Sequence, residues 1–117
     1  MAEGILKTKS HQFSVLIVKS SQKLVSEKRE YVLSKQLLRS GIAVGALIHE
    51  VELAQSEKDF VDKMSIALKE ANESIYWIDL LKDTNYIDEN NHNSLASDYK
   101  ELVAMLVTFI KTTKSRM

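Results

Sequence analysis

Apolar residues recur every three or four positions through most of the chain, the spacing that places them on one face of an α-helix. Four such stretches, separated by short polar breaks, predict helices over about residues 10–25, 30–54, 57–84 and 94–113. Because the connections are short, consecutive helices should lie antiparallel. The pattern therefore predicts an all-α protein, an up-and-down antiparallel four-helix bundle that residues 1–117 form as a single domain.

The apolar faces of the predicted helices also indicate which residues meet in the core. Nine residues along these faces are expected to be core residues: Leu37, Ile48, Met64, Leu68, Ile75, Ile78, Leu102, Leu106 and Phe109. Ser56 followed by Asp59 has the spacing of a capping box, which favours a helix start there. Residues 88–93 are rich in Asp, Glu and Asn and predict a loop, and residues 1–9 are expected to fray.

The composition narrows the classes of protein further. The chain contains no Pro and only three Gly, which argues against the many tight turns of an all-β fold. It contains no Cys, which excludes disulfides, thiolate metal ligands and a Cys nucleophile. No apolar run approaches the roughly 20 residues of a membrane-spanning helix, and the first residues lack the apolar segment of a secretory signal. We therefore expect a cytoplasmic protein without a membrane partner.

Charge is balanced over the whole chain but unevenly distributed. Residues 1–41 carry an excess of basic residues, residues 42–91 carry an excess of acids, and residues 92–117 are slightly basic. One interpretation is that solvated faces simply differ. The other is a dipolar subunit whose basic end contacts an acidic surface or a polyanion. The basic residues that would form this partner surface lie around the first predicted connection: Lys19, Lys23, Lys28, Arg29, Lys35 and Arg39.

Candidate catalytic and metal-binding residues are sparse. Glu89 and His92 have the Glu-x-x-His spacing of metal-binding helix bundles, but such a site needs a second copy of the motif and two further Glu. His11 and His49 have no second histidine one helical turn away. There is neither a Gly-x-Ser-x-Gly motif nor a glycine-rich phosphate loop. The sequence predicts no catalytic residue, no metal and no cofactor, and hence a protein that is not an enzyme.

Two glycines one helical turn apart, Gly41 and Gly45, stand inside the second predicted helix. Each costs about 1 kcal/mol relative to Ala in a helix, so close packing is expected there, either within one subunit or between subunits. The helix is also apolar over most of its circumference, which is typical of burial on more than one side. The residues predicted to form an oligomer interface are Leu38, Gly41, Ile42, Gly45, Ala46 and Leu47.

Two sequence blocks carry a family resemblance. One is residues 36–46, with its Ser-Gly and following Gly-Ala; the other is residues 63–81, with a Glu-x-x-Glu followed by Tyr76-Trp77. Over about residues 10–87 the chain resembles the small bacterial four-helix bundle proteins. That family includes proteins encoded in intervening sequences of 23S rRNA genes and resembles the accessory variability proteins of diversity-generating retroelements.

The resemblance implies a four-helix bundle that assembles into a homopentamer. If the chain is like the accessory proteins, the resemblance also implies a basic surface that contacts a reverse transcriptase and nucleic acid. This chain is neutral where those proteins are strongly basic, so we expect weak nucleic-acid binding at physiological salt. Two functions remain open. The protein is either an oligomeric scaffold or accessory factor for nucleic acid or a nucleic-acid enzyme, or an oligomeric adapter that binds only protein.

Overall fold

The computed structural model describes the backbone of residues 2–117 and the side chains of residues 4–117. The elements in chain order are α1 (Ala2–Lys28), α2 (Leu33–Glu50), a short 3₁₀ turn (Val51–Leu53), α3 (Glu57–Asp83) and α4 (Glu89–Arg116). Within residues 2–117 there is no strand, and the helices form a bundle 47 Å long and about 20 Å across. The prediction of an all-α four-helix bundle is confirmed.

The four helices surround a common core, and each packs against the two beside it. Contacts at both ends of a helix pair show that consecutive helices run antiparallel. Along α1 and α2, Lys7 pairs with Glu52 at 2.8 Å and the Ser21 hydroxyl donates to the Ser34 carbonyl at 3.1 Å. Along α3 and α4, Glu57 pairs with Arg116 at 3.6 Å and Lys82 with Glu89 at 3.8 Å. Close backbone approaches are most frequent between α2 and α3 and least frequent between α1 and α4. The α1–α4 side is therefore the most open side of the bundle.

One apolar core runs the length of the bundle. Its largest fully buried apolar side chains are Phe13, Leu6, Ile17, Leu37, Ile48, Met64, Ile78, Leu81, Leu102, Leu106 and Val44. Six of the nine predicted core residues are buried, whereas Leu68, Ile75 and Phe109 are only partly buried and pack against the core from its edge. The predicted faces thus have the right phase, but they are wider than the fully buried stripe.

The bounds of the helices differ from the prediction mainly at their starts. The first helix begins at Ala2 rather than near residue 10, because Leu6 and Ser10 continue the buried spacing of Phe13 and Ile17 back towards the N-terminus. Within the described residues, 2–9 are therefore helical rather than frayed; Met1 lies outside them. The second helix begins at Leu33, after a turn in which Arg29 has a left-handed φ of 53°.

The largest error concerns residues 88–93, which are not a loop. The Asp88 carboxylate accepts a hydrogen bond from the Asn91 N–H at 2.8 Å, so Asp88 is the N-cap of α4 and the helix starts at Glu89. Asp and Asn favour turns for the same reason that they favour caps, because their side chains bond to nearby backbone N–H groups. The composition alone therefore could not separate a loop from the first turn of a helix.

The start of α3 is as predicted. The Ser56 hydroxyl accepts from the Asp59 N–H at 3.0 Å, and the Asp59 carboxylate accepts from the Gln55 N–H at 3.1 Å. This hydrogen bond from Gln55, together with the ammonium of Lys63, holds the pKa of Asp59 below its usual value. The reciprocal pair satisfies backbone donors that would otherwise lack a partner at the helix end.

Candidate functional site

The two glycines of α2 face α1 within the same chain. A Cβ at Gly41 would come within 2.5 Å of Ile17 Cγ2, and one at Gly45 would collide with the Ser14 hydroxyl. Gly41 is buried by this contact. Gly41 and Gly45 therefore allow close packing between α1 and α2 within one subunit, and their place in an oligomer interface stays a prediction. A leucine at Gly41 should disturb packing within the chain before it disturbs any contact between chains.

The other predicted interface residues divide into two groups. Leu47 is half-buried and packs against the core of its own chain. Leu38 is half-buried, Ile42 is 44% exposed and Ala46 is exposed; at steps of four residues they form one stripe along the outside of α2. We call Leu38, Ile42 and Ala46 the outer α2 stripe. It remains an unpartnered apolar surface on the described chain.

A shallow groove of about 610 Å³ runs beside this stripe between α1 and α2. Ile42 and Ala46 line one side, and Ser14 lies across from them. His11 and His49, which are far apart in sequence, line the same groove. A groove therefore borders the outer α2 stripe on the side that faces α1.

Only three of the six predicted basic residues line a common groove. Lys19, Lys23 and Lys28 line a second groove, of about 760 Å³, between the C-terminal half of α1 and the connection from α3 to α4. Lys35 is exposed on α2, and Arg29 is exposed in the turn after α1. The structure brings the three lysines of α1 together in one groove, which the other predicted basic residues do not line.

Arg39 is held against α3 instead. Its guanidinium pairs with the Glu70 carboxylate at 3.2 Å and also with that of Glu73. The Trp77 indole N–H donates to Glu73 at 3.4 Å, and the ring of Tyr76 packs edge-on against Trp77 with centroids 5.1 Å apart. The first block of the family resemblance is thus joined to the second by a charged network between α2 and α3.

Glu89 and His92 also contact α3. The His92 Nε2 lies 2.9 Å from Asp79 Oδ1, and Glu89 lies 3.8 Å from Lys82 Nζ. The buried Nδ1 of His92 has no hydrogen-bond partner among the described residues, so the ring contacts α3 through Nε2. Among the described residues, no three His, Asp or Glu side chains are grouped so that they could hold a metal ion.

Asp79 influences a second group on α4. Tyr99 is a buried residue of α4, and its pKa is raised, first by burial of the phenol and second by the negative charge of Asp79. Asp79, Lys82, Glu89 and His92 thus join α3 to α4 through polar contacts.

None of the described helices has an apolar stretch long enough to cross a membrane.

The sequence profile of the family described as 23S rRNA-intervening sequence protein matches residues 3–108. The chain belongs to this family. The match extends beyond both sequence blocks that carry the resemblance and reaches into all four helices.

A solved structure supports the assignment. The chain is similar to a protein of unknown function from the S23 ribosomal protein family of Bacteroides thetaiotaomicron VPI-5482, whose crystal structure was determined at 1.70 Å. The two are 47% identical, the match covers 95% of this chain and 99% of the other, and the TM-score is 0.92. No curated protein matches the chain. Family membership therefore establishes the fold, and the function has to be inferred from the surfaces.

Proposed function

We propose that the protein is a non-enzymatic, homo-oligomeric scaffold of the bacterial cytoplasm that serves as an accessory factor for nucleic acid or for a nucleic-acid enzyme. Five subunits is the favoured number, as the family resemblance implies. The observation that carries the proposal is the outer α2 stripe of Leu38, Ile42 and Ala46. It is apolar, it lies on the outside of the bundle, and the core of its own chain does not cover it.

The glycine contacts strengthen this proposal indirectly. Gly41 and Gly45 let α2 approach α1 closely, so the inner side of α2 is already satisfied within the chain. The exposed Ile42 and Ala46 on its outer side are not part of this contact with α1 through the glycines. Contiguous exposed apolar surface of this kind is typical of contact with another protein surface.

A surface that could receive the stripe lies on α3 of a neighbouring copy. Ile66 and Tyr76 of α3 are 49% and 60% exposed. A ring places one surface of each subunit against a different surface of the next.

Light scattering at micromolar concentration tests the assembly. The oligomer predicts a mass that is a multiple of the 13.3 kDa chain, with five copies expected. Ile42→Glu should lower this mass because it places a charge in the interface. The matched control is Leu53→Glu, at a position that is 78% exposed in the 3₁₀ turn. A mass of 13.3 kDa for the unaltered protein would refute the oligomer, and a mass of two copies would refute the ring alone.

An adapter that binds only protein is the second candidate, and the Arg39 network favours it. Because Glu70 and Glu73 hold Arg39, fewer basic groups are grouped for nucleic acid than the sequence predicts. Salt-dependent binding to RNA or DNA separates the two candidates. Weak binding at physiological salt agrees with the accessory role, and a complete absence of binding at low salt supports the adapter.

A further inference from the structure

The groove that contains the three lysines of α1 has a chemical character of its own. Lys19, Lys23 and Lys28 line one side, and the other side is the connection between α3 and α4 with the first turn of α4. We call it the α1–loop groove. It lies on the α1–α4 side, where close approaches between helices are fewest. Because its two sides come from segments that are far apart in the chain, the sequence did not predict it.

The groove has an excess of positive charge although the chain as a whole is neutral. The acids that line it are Glu27 and Asp88. Glu27 lies 3.9 Å from Lys23, and the Asp88 carboxylate caps α4. Among residues 4–117, neither Lys19 nor Lys28 lies within ion-pair distance of an acid. Lys23 is held only by this long, solvent-exposed ion pair, which binds it weakly, so all three ammonium groups are available for a negatively charged ligand.

An aromatic ring and two amides complete the lining. Tyr86 is 37% exposed, and its backbone is fixed because its N–H donates to the Leu81 carbonyl at 2.8 Å, just after Asn85 adopts a left-handed φ of 67°. Asn85 and Asn91 both line the groove. Ammonium groups beside a partly exposed tyrosine combine the two elements that bind single strands, namely backbone neutralisation and base stacking.

Building on the nucleic-acid part of the proposed function, we infer that the α1–loop groove binds a short single-stranded segment of nucleic acid. Phosphates contact Lys19, Lys23 and Lys28, and one unpaired base stacks on Tyr86. A duplex fits less well because its bases are already stacked and cannot reach the ring. An acidic peptide would satisfy the lysines, but it would leave Tyr86 without a role.

The direct test is fluorescence anisotropy with a labelled twelve-nucleotide oligouridylate, measured between about 20 and 200 mM salt. Three phosphate contacts predict a slope of log K against log salt of about −2 for a single strand, so affinity is weak at physiological salt. Replacing the three lysines by Gln should flatten this slope. Tyr86→Leu should weaken binding about fivefold or more and leave the slope unchanged.

Two matched controls lie outside the groove. Lys35→Gln removes an exposed lysine of the same predicted basic set, and Tyr31→Leu removes an exposed tyrosine of the connection between α1 and α2; both should bind like the unaltered protein. A same-length duplex should bind less tightly than the single strand. Equal losses in Lys35→Gln and in the groove variants would overturn the inference, as would equal binding of an acidic dodecapeptide that Tyr86→Leu does not affect.

Light scattering on the same samples keeps this inference separate from the proposed assembly. An oligomer that fails to bind the oligouridylate at low salt overturns the groove and leaves the scaffold intact. A 13.3 kDa monomer whose binding depends on Tyr86 and the three lysines supports the groove and refutes the oligomer. Circular dichroism of each variant checks that the helices are retained.

Discussion

Gly41 lies so close to Ile17 that a Cβ at position 41 would stand 2.5 Å from Ile17 Cγ2. Since Ile17 is fully buried, it cannot move away without disturbing the core. We predict that Gly41→Ala lowers the free energy of unfolding by about 1–2 kcal/mol, because overpacking outweighs the gain in helix propensity. Urea denaturation measures this change.

Gly45→Ala is the matched comparison. There the new methyl group meets the Ser14 hydroxyl, a small side chain that can rotate away. The helix propensity gain of about 1 kcal/mol then offsets the contact, and we expect a change close to zero. Equal losses at both positions would show that the two glycines contact α1 in the same way, contrary to the structure.

Truncating a core leucine to alanine should lower the free energy of unfolding by an amount that depends on how deeply the leucine is buried. Leu106 is fully buried, whereas Leu68 is only partly buried at the edge of the core. Leu106→Ala should therefore cost about 2–5 kcal/mol in the free energy of unfolding. Leu68→Ala should cost less, because a site at the edge can be filled by water and by neighbouring side chains. A larger loss at Leu68 than at Leu106 in urea denaturation would contradict this ranking.

Local relationships could be predicted from the sequence, and those that depend on helix register could not. The capping box of Ser56 and Asp59 spans three residues, so its spacing is visible in the chain itself. The contact of Arg39 with Glu70 joins residues 31 positions apart. It depends on how α2 and α3 are aligned, and the charge of Arg39 alone suggested a free basic surface.

The α1–loop groove also depends on contacts between segments that are distant in sequence, so the sequence alone could not predict it. The basic residues of α1 were apparent in sequence, but nothing there indicated that Tyr86 would lie across from Lys19. Their meeting depends on the wide separation of α1 and α4 and on the left-handed turn at Asn85. Periodicity identifies the faces of helices, whereas grooves arise from how far apart the helices are.

The N-cap of α3 offers a test of local structure. Ser56→Ala removes the hydroxyl that accepts from the Asp59 N–H, so we expect a loss of about 1 kcal/mol in the free energy of unfolding. Ser56→Asp should retain most of the stability, since a carboxylate accepts the same hydrogen bond at the positive end of the helix. Ser97→Ala, at an exposed position inside α4, is the control and should change little. Thermal denaturation of the three variants provides the measurement, and a loss at Ser97 equal to that at Ser56 would argue against a specific cap.

Tyr99 is expected to make the free energy of unfolding fall at alkaline pH. Burial and the charge of Asp79 raise its pKa above the value of 10.0 expected in the unfolded chain. The folded state therefore disfavours the phenolate, and the stability that this group contributes is fully present below pH 10 and is lost as the pH rises through the folded-state pKa. Urea denaturation between about pH 8 and pH 11 should show a steeper loss for the unaltered protein than for Tyr99→Phe. Lysines also lose their charge in this range, but they do so in both proteins, so the difference between the two curves isolates Tyr99. Parallel curves would show that the phenol of Tyr99 is equally free to ionise in the folded chain, and that α4 does not bury it beside Asp79.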